Sequence, residues 1–135
     1  MGAPRLAVER VTFERDRMVL LVRVPEGPAA SLGDDGAARL LAARPSLASH
    51  VCLNAEGAPF GGILSRTSLP HVLEHLVIDL QAQDPACAPD VTFVGTTEWL
   101  AAHDGLARVT VAYTDDLIAL GALKAALALM EGTVE

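Results

Sequence analysis

The sequence predicts a single α+β domain, residues 1–135, in which helices pack on one face of a mainly antiparallel sheet. Short segments rich in β-formers come in two pairs, and longer helical segments separate and follow these pairs. A length of 135 residues suits one domain, and a hydrophobic fraction of 51% is sufficient for a core. Because only 4% of the residues are aromatic, Ala, Leu and Val must build that core.

The first half of the chain is predicted to hold strands and one helix. Strands are expected at residues 11–15, 18–24 and 50–53, where β-branched and other apolar residues dominate. The pair Asp34-Asp35 is placed to cap a helix through residues 37–43, which ends near Pro45.

The second half is predicted to hold a helix, two strands and a last helix, at residues 69–83, 91–94, 108–113 and 116–130. Thr67 or Ser68 would cap the first of these helices. Residues 95–105 are expected to form a polar connection that holds one helical turn around Trp99. Asp115 and Thr114 would open the last helix.

Charge and cysteine content exclude several classes of function. With 17 acidic and 10 basic residues the net charge is -7, so nucleic acid and anionic membranes are poor partners and a cationic ligand is favoured. Cys52 and Cys87 form no close-spaced pair, which suits a reduced protein better than a disulfide scaffold. Residues 1–10 show no signal core, and no stretch has membrane-spanning character, so we expect a cytoplasmic protein.

The most specific motif is His71-x-x-Glu74-His75, the zinc-binding helix motif of metallopeptidases in inverted order. Two His residues four apart on a helix point the same way, and neutral imidazole is a common zinc ligand. A Glu between them can accept a proton from a water molecule that a metal activates. We therefore expect His71 and His75 to bind zinc and Glu74 to act as the catalytic base.

The helix that carries the motif is amphipathic. Its apolar stripe, predicted to dock on the sheet, consists of Leu69, Val72, Leu73, Leu76, Val77 and Leu80. The opposite arc is predicted to face outward and carries His71, Glu74, His75 and Asp79. Such an arc serves a site or is simply a solvated helix face; Ile78 and Ala82 within it favour partial cover.

A catalytic zinc ion needs three protein ligands and an open position, and the helix offers two. His50 and Cys52 lie two residues apart on the predicted strand, so both point to one face and either is able to complete the site. A small buried hydrophobe is the favoured role for Cys52, while the ligand and non-ligand roles of His50 are evenly balanced. Asp79 is placed to orient His75 from outside the metal shell.

Residues 47–130 resemble the N-terminal domain of cyanophycin synthetases. The similar segments are His50-Val51-Cys52, Phe60-Gly61-Gly62, Thr67 to Gln81, Val91 to Thr96, and Val109 to Asp116 with the Ala-rich helix after it. The synthetases polymerise aspartate and arginine with two ATP-dependent ligase modules. This chain is too short for either module, so it is not expected to be a ligase on its own.

The resemblance implies that the domain holds the growing polymer and that, in some members, it is a zinc peptidase site. Matched residue by residue, His71 and His75 would be ligands and Glu74 the base. Asp79 departs from the family's Glu, and Arg66-Thr67 replaces a Gly-Thr pair. The motif is shared with pitrilysin-type peptidases, but their third ligand would fall beyond Glu135, so any third ligand here is expected to be local.

Two functions follow from this reading. The first is a zinc-dependent hydrolase of peptide or isopeptide bonds, acting on a peptide or an Asp/Arg-type polymer. The second is a non-catalytic module with a vestigial metal site that binds a polymer, a peptide-ligase partner or another copy of itself. The smooth surface of the last helix suits close helix packing or a homo-oligomer contact, through Ala122, Ala125, Ala126 and Ala128.

Overall fold

The computed structural model describes residues 5–50, 60–87 and 92–133. These residues form strands β1 (Ala7–Phe13), β2 (Arg17–Arg23), β3 (Gly95–Ala101) and β4 (Leu106–Ala112). Three α-helices accompany them in this part of the chain: α1 (Gly33–Ala43), α2 (Leu69–Ala82) and α3 (Asp116–Thr133). Short 3-10 turns at Pro45–Ser49, Phe60–Gly62 and Leu64–Arg66 lead from α1 to α2, and another at Ala102–Asp104 joins β3 to β4.

The four described strands form one antiparallel sheet in the order β1-β2-β4-β3. Burial alternates along β2, where Met18, Leu20 and Val22 are fully buried. The period of two shows that one face of the sheet meets the helices. The other face carries charged pairs such as Arg108 with Glu98. The predicted α+β domain with helices on one face is confirmed.

Helix α2 lies at the centre of the packing. It contacts α3 and the two strands β3 and β4. Ten of its 14 residues are buried, including the predicted apolar stripe from Leu69 to Val77, while Leu80 is half-buried. A helix that is buried on so much of its circumference has neighbours on more than one side. None of the helices in the described part of the chain is long and apolar enough to cross a membrane.

The prediction of a strand at residues 91–94 is wrong for the described residues 92–94, which have no regular structure. The strand is instead β3, within the segment predicted as a polar connection. Thr96 and Glu98 are polar because they lie on the exposed face of an edge strand, while Thr97 and Trp99 face the helices. The predicted helical turn occurs after this strand, not around Trp99.

Two of the predicted helix caps are absent. Helix α1 begins after Leu32, and Asp34 and Asp35 lie in its first turn, where carboxylates favour the helix dipole without capping it. Ser68 occupies the cap position of α2 but its side chain makes no cap hydrogen bond. The Thr67 hydroxyl donates to the Ile63 carbonyl at 2.7 Å, so it is already engaged.

The last helix starts as predicted. The Asp115 carboxylate accepts hydrogen bonds from the backbone N–H groups of Leu117 and Ile118, at 2.9 and 3.1 Å. The predicted strand at residues 50–53 lies largely outside the described residues. His50 itself follows the 3-10 turn Pro45–Ser49 in extended backbone conformation.

Candidate metal centre

Three side chains of the motif converge beside the first turns of α2. His71, Glu74 and His75 each offer one ligand atom, and these atoms all lie within 4.8 Å of one another. Their spacing of three and four residues brings them to one side of the helix. The group could hold a metal ion, as the motif predicted.

The two imidazoles meet through their Nε2 atoms, which are 3.2 Å apart in His71 and His75. Two nitrogens that bind one tetrahedral zinc ion at about 2.0–2.1 Å lie about 3.3 Å apart. The observed separation therefore fits a shared metal ion without a large movement of either ring.

The prediction that the polar arc of α2 faces outward is wrong. Glu74, His75 and Asp79 are 6%, 5% and 1% exposed, and His71 is half-buried. The reason is that this arc is covered from two sides. Strand β3 lies against Glu74, and the turn that begins at Phe60 lies against His75.

Phe60 is the aromatic neighbour of the whole cluster. Its ring is fully buried and stacks on His75, with 4.0 Å between the ring centroids and 19° between the planes. The Phe60 ring also makes an edge contact with the His71 ring, with 5.9 Å between the ring centroids. Gly61 is needed next to it, because a Cβ there would lie 3.0 Å from the Ala48 Cα atom. The turn that carries Phe60 therefore packs closely against the 3-10 turn Pro45–Ser49.

His50 contacts His75 on the side opposite to His71. The Nδ1 atoms of His50 and His75 are 3.1 Å apart, while the Nε2 atom of His50 lies 3.1 Å from the Asp79 carboxylate. The metal-capable group among the described residues consists of the three motif side chains without His50. Cys52, the other residue considered as a third ligand, lies outside the described residues.

Asp79 links His50 to residues of the turn that follows α1. Its Oδ2 atom accepts from Nη2 of Arg44 at 2.7 Å, from Nε of Arg44 at 3.0 Å, and from the Ser46 hydroxyl at 2.8 Å. Burial raises the pKa of Asp79, but the hydrogen bonds from His50, Ser46 and Arg44 together outweigh burial and lower the pKa below its usual value. Asp79 is therefore an ionised, purely accepting group whose direct histidine partner is His50.

Glu74 has a different environment from Asp79. Burial raises the pKa of Glu74, and the hydrogen bond from Thr97 and the charge of His71 offset only part of that rise. The Thr97 hydroxyl donates to the Glu74 Oε1 atom at 2.7 Å. Gly95 leaves the space that the carboxylate occupies, because a Cβ there would lie 2.9 Å from Glu74 Cγ. A carboxyl group with a raised pKa is a stronger base than an ordinary carboxylate, which suits it to accept and return a proton.

His75 is neutral across the physiological range. Burial, together with repulsion from His71 and His50 in their charged forms, lowers the pKa of His75 to about 3. A metal ligand must present an unprotonated nitrogen, so a neutral ring is already in the required charge state.

A family model described as the cyanophycin synthase-like N-terminal domain matches residues 34–135, well over half of the chain. The chain belongs to this family. The match confirms the resemblance carried by the motif helix and its neighbours. No curated protein sequence matches the chain.

The part of the chain that matches the cyanophycin synthase-like N-terminal domain contains every site residue described above. It begins within α1, so β1 and β2 precede it while β3, β4, α2 and α3 lie inside it. The metal-capable group and its supports therefore belong to the family-matched portion of the sheet and helices.

Several residues of the centre were missed by sequence reasoning: Arg44, Ser46, Thr97 and Gly95. Arg44 and Ser46 lie 35 and 33 positions before Asp79, so no local spacing connects them to the motif helix. Thr97 and Gly95 lie in the segment that the sequence predicts as a polar connection. A recognised edge strand would have indicated which of its side chains face α2.

Proposed function

We propose that this protein is a zinc-dependent hydrolase of peptide or isopeptide bonds. One observation carries the proposal: two imidazole Nε2 atoms lie 3.2 Å apart, and a buried carboxyl group with a raised pKa stands beside them. His71 and His75 would be two of the protein ligands of the zinc ion. Glu74 would serve as the general base.

Zinc, when bound, would polarise the scissile carbonyl and lower the pKa of a water molecule. The residues of the chain supply the remaining requirements. Glu74 accepts the proton of the attacking water and returns it to the leaving nitrogen. Thr97 holds the carboxylate through Oε1, which keeps the base directed to one place. Phe60 excludes water from one side of His75 and keeps its ring in position.

The substrate class rests on the family and on charge. The family description names cyanophycin synthase. The sequence resemblance implies that the polymer of such synthases consists of aspartate and arginine. The chain's net charge of -7 favours an arginine-bearing substrate over an acidic one. We therefore propose a peptide, or an Asp/Arg-type polymer with isopeptide bonds, as the substrate.

The test separates metal binding from catalysis. Protein purified without a His tag is analysed for zinc and then assayed on two synthetic peptides, one with arginine linked to aspartate side chains and one with ordinary peptide bonds. We expect His71→Ala and His75→Ala to lose zinc and activity together. Glu74→Gln is expected to keep zinc and lose turnover, because the base is gone while both imidazoles remain.

His103→Ala is the matched control, since His103 is exposed on the turn after β3. It is expected to keep wild-type zinc content and activity. Wild-type protein that binds no zinc would overturn the proposal. Zinc loss in Glu74→Gln would instead make Glu74 a ligand and remove its assignment as the base.

The alternative function is a non-catalytic module that binds polymer or a ligase partner. The family match favours this binding module because the family is described as the N-terminal domain of a synthase, which is one part of a larger enzyme. Binding of the isopeptide polymer that is unchanged in Glu74→Gln and His75→Ala, with no turnover by zinc-loaded wild type, would support this module over the hydrolase.

A further inference from the structure

A continuous line of polar contacts leads from Arg44 to the candidate metal centre. Arg44 and Ser46 donate to Asp79, Asp79 faces Nε2 of His50, and Nδ1 of His50 faces Nδ1 of His75. The His75 Nε2 atom, at the other side of the ring, then faces the motif partner of His75. All of these contacts are 3.2 Å or shorter.

In this line, the donor and acceptor of one hydrogen bond determine the donor and acceptor of the next. The Asp79 carboxylate is ion-paired with Arg44 and has no proton to donate, so the proton between Asp79 and His50 must be on Nε2 of His50. A neutral imidazole carries one N–H, so Nδ1 of His50 is an acceptor. The proton between the two rings must therefore be on Nδ1 of His75.

We infer that Asp79 and His50 are positioning residues that set the tautomer of His75, placing its proton on Nδ1 and leaving the Nε2 lone pair for a metal ion. The inference rests on the metal site of the proposed function. It adds that the ability of His75 to bind metal is decided by residues that do not touch the metal.

The arrangement also specifies what happens without metal. His75 Nε2 is then an acceptor, so the hydrogen bond of 3.2 Å between the two motif rings is donated by Nε2 of His71. Metal binding requires the proton of His71 to leave Nε2, while His75 is already in the competent form. A carboxylate that fixes the tautomer of a ligating His is common in metal sites; here an intervening imidazole transmits the effect.

Asp79→Asn is the sharpest test, because the amide has nearly the same shape but one donating side. Three hydrogen bonds arrive at Oδ2 from Arg44 and Ser46, so the amide oxygen will occupy that place. The amide NH2 group then faces His50 Nε2 and donates to it. The direction of each hydrogen bond from residue 79 to His75 is then reversed. His75 carries its proton on Nε2, where the proton prevents metal binding.

The measurement is nitrogen-15 NMR of the imidazole nitrogens in chelator-treated protein at about pH 8, where ordinary imidazoles are neutral. Wild type is expected to show His75 protonated on Nδ1, and Asp79→Asn to show it protonated on Nε2. Ser46→Ala is the matched control, because it removes a donor to Oδ2 but keeps the carboxylate; it should retain the wild-type tautomer. Zinc affinity should fall about 10–100-fold in Asp79→Asn.

If Asp79→Asn does not fold, His50→Phe breaks the same line, and His75 should then lose its single tautomer. A wild-type His75 protonated on Nε2, or an unchanged tautomer in the folded Asp79→Asn or His50→Phe protein, overturns the inference. This result is distinct from failure of the proposed function. If wild type binds no zinc but His75 keeps its proton on Nδ1, the proposed hydrolase function is wrong. The inference that Asp79 and His50 set the tautomer of His75 then still holds.

Discussion

Phe60 stacks on His75 with a centroid separation of 4.0 Å, and the residue is wholly buried. The backbone N–H of Phe60 also donates to the His50 carbonyl at 2.7 Å. One residue thus joins the turn before α2 to both histidines of the line that leads into the candidate metal centre. Aromatic stacking of this kind adds about 0.5–1.5 kcal/mol to the burial of the ring.

Phe60→Ala is expected to lower the free energy of unfolding of the metal-free protein by about 3–5 kcal/mol, because it leaves a cavity beside His75. Urea denaturation with a chelator present measures this without a contribution from metal. Phe13→Ala is the control, since Phe13 is 39% exposed and packs mainly on Tyr113. An equal loss in both variants would contradict the central role of Phe60.

Local sequence pattern was sufficient to predict α2, α3, β2 and β4, because each has a regular period and the correct faces are buried. It was insufficient for the surroundings of the motif. The helical pattern places Glu74 and Asp79 on the outward arc, but β3 and residues 44–50 cover these two side chains. Contacts over such sequence separations leave no periodic signal.

The edge strand β3 was missed for a related reason. Its helix-facing residues are half-buried and its exposed residues include Thr96 and Glu98, so the segment has too few apolar residues to suggest a strand. The pairing that defines it is supplied by β4, where Val109 lies opposite Thr97. The position of Thr97 beside Glu74 therefore depended on a tertiary arrangement that only the fold provides.

Gly95→Ala is expected to destabilise the protein by about 1–3 kcal/mol, because the new Cβ would lie 2.9 Å from Glu74 Cγ and 3.0 Å from the Thr110 carbonyl oxygen. The displaced Glu74 carboxylate should also lower hydrolytic activity. Gly121→Ala is the matched control: nothing lies within 4 Å of its Cβ and the site is helical, so thermal denaturation should show a small gain in stability. Similar melting temperatures for Gly95→Ala and wild type would refute the predicted clash.

Acidification is expected to destabilise the metal-free protein through His75. The pKa of His75 is 6.5 when the ring is freely solvated in the unfolded chain and about 3 in the folded protein, so below pH 6.5 the unfolded chain binds a proton that the folded protein does not. Stability from this group is present above pH 6.5 and is lost as pH falls towards 3. Between pH 7.5 and 5.5 the loss amounts to about 1.4 kcal/mol.

The raised pKa of Glu74 acts in the opposite direction, since its contribution is lost as pH rises above 4.5. The measurement is therefore a comparison of wild type with His75→Phe, which keeps Glu74 and a ring for Phe60 to stack on. Urea denaturation at both pH values should show the additional loss in wild type alone. His103→Phe, at an exposed turn, should behave as wild type. A wild-type pH dependence equal to that of His75→Phe would show that His75 does not carry the effect.

Thr97→Val is expected to raise the pKa of Glu74 further, because it removes the hydrogen bond that opposes burial. At neutral pH it should cost about 1–3 kcal/mol of unfolding free energy, since the buried carboxylate loses a donor. Carbon-13 NMR titration of the Glu74 carboxyl measures the shift, and the acidic limb of the pH–rate profile should move to higher pH. Thr96→Val changes the adjacent residue, which is exposed on the other face of β3, and should alter neither quantity. If the Glu74 titration is the same in both variants, the Thr97 hydroxyl does not tune the base, and burial alone sets its pKa.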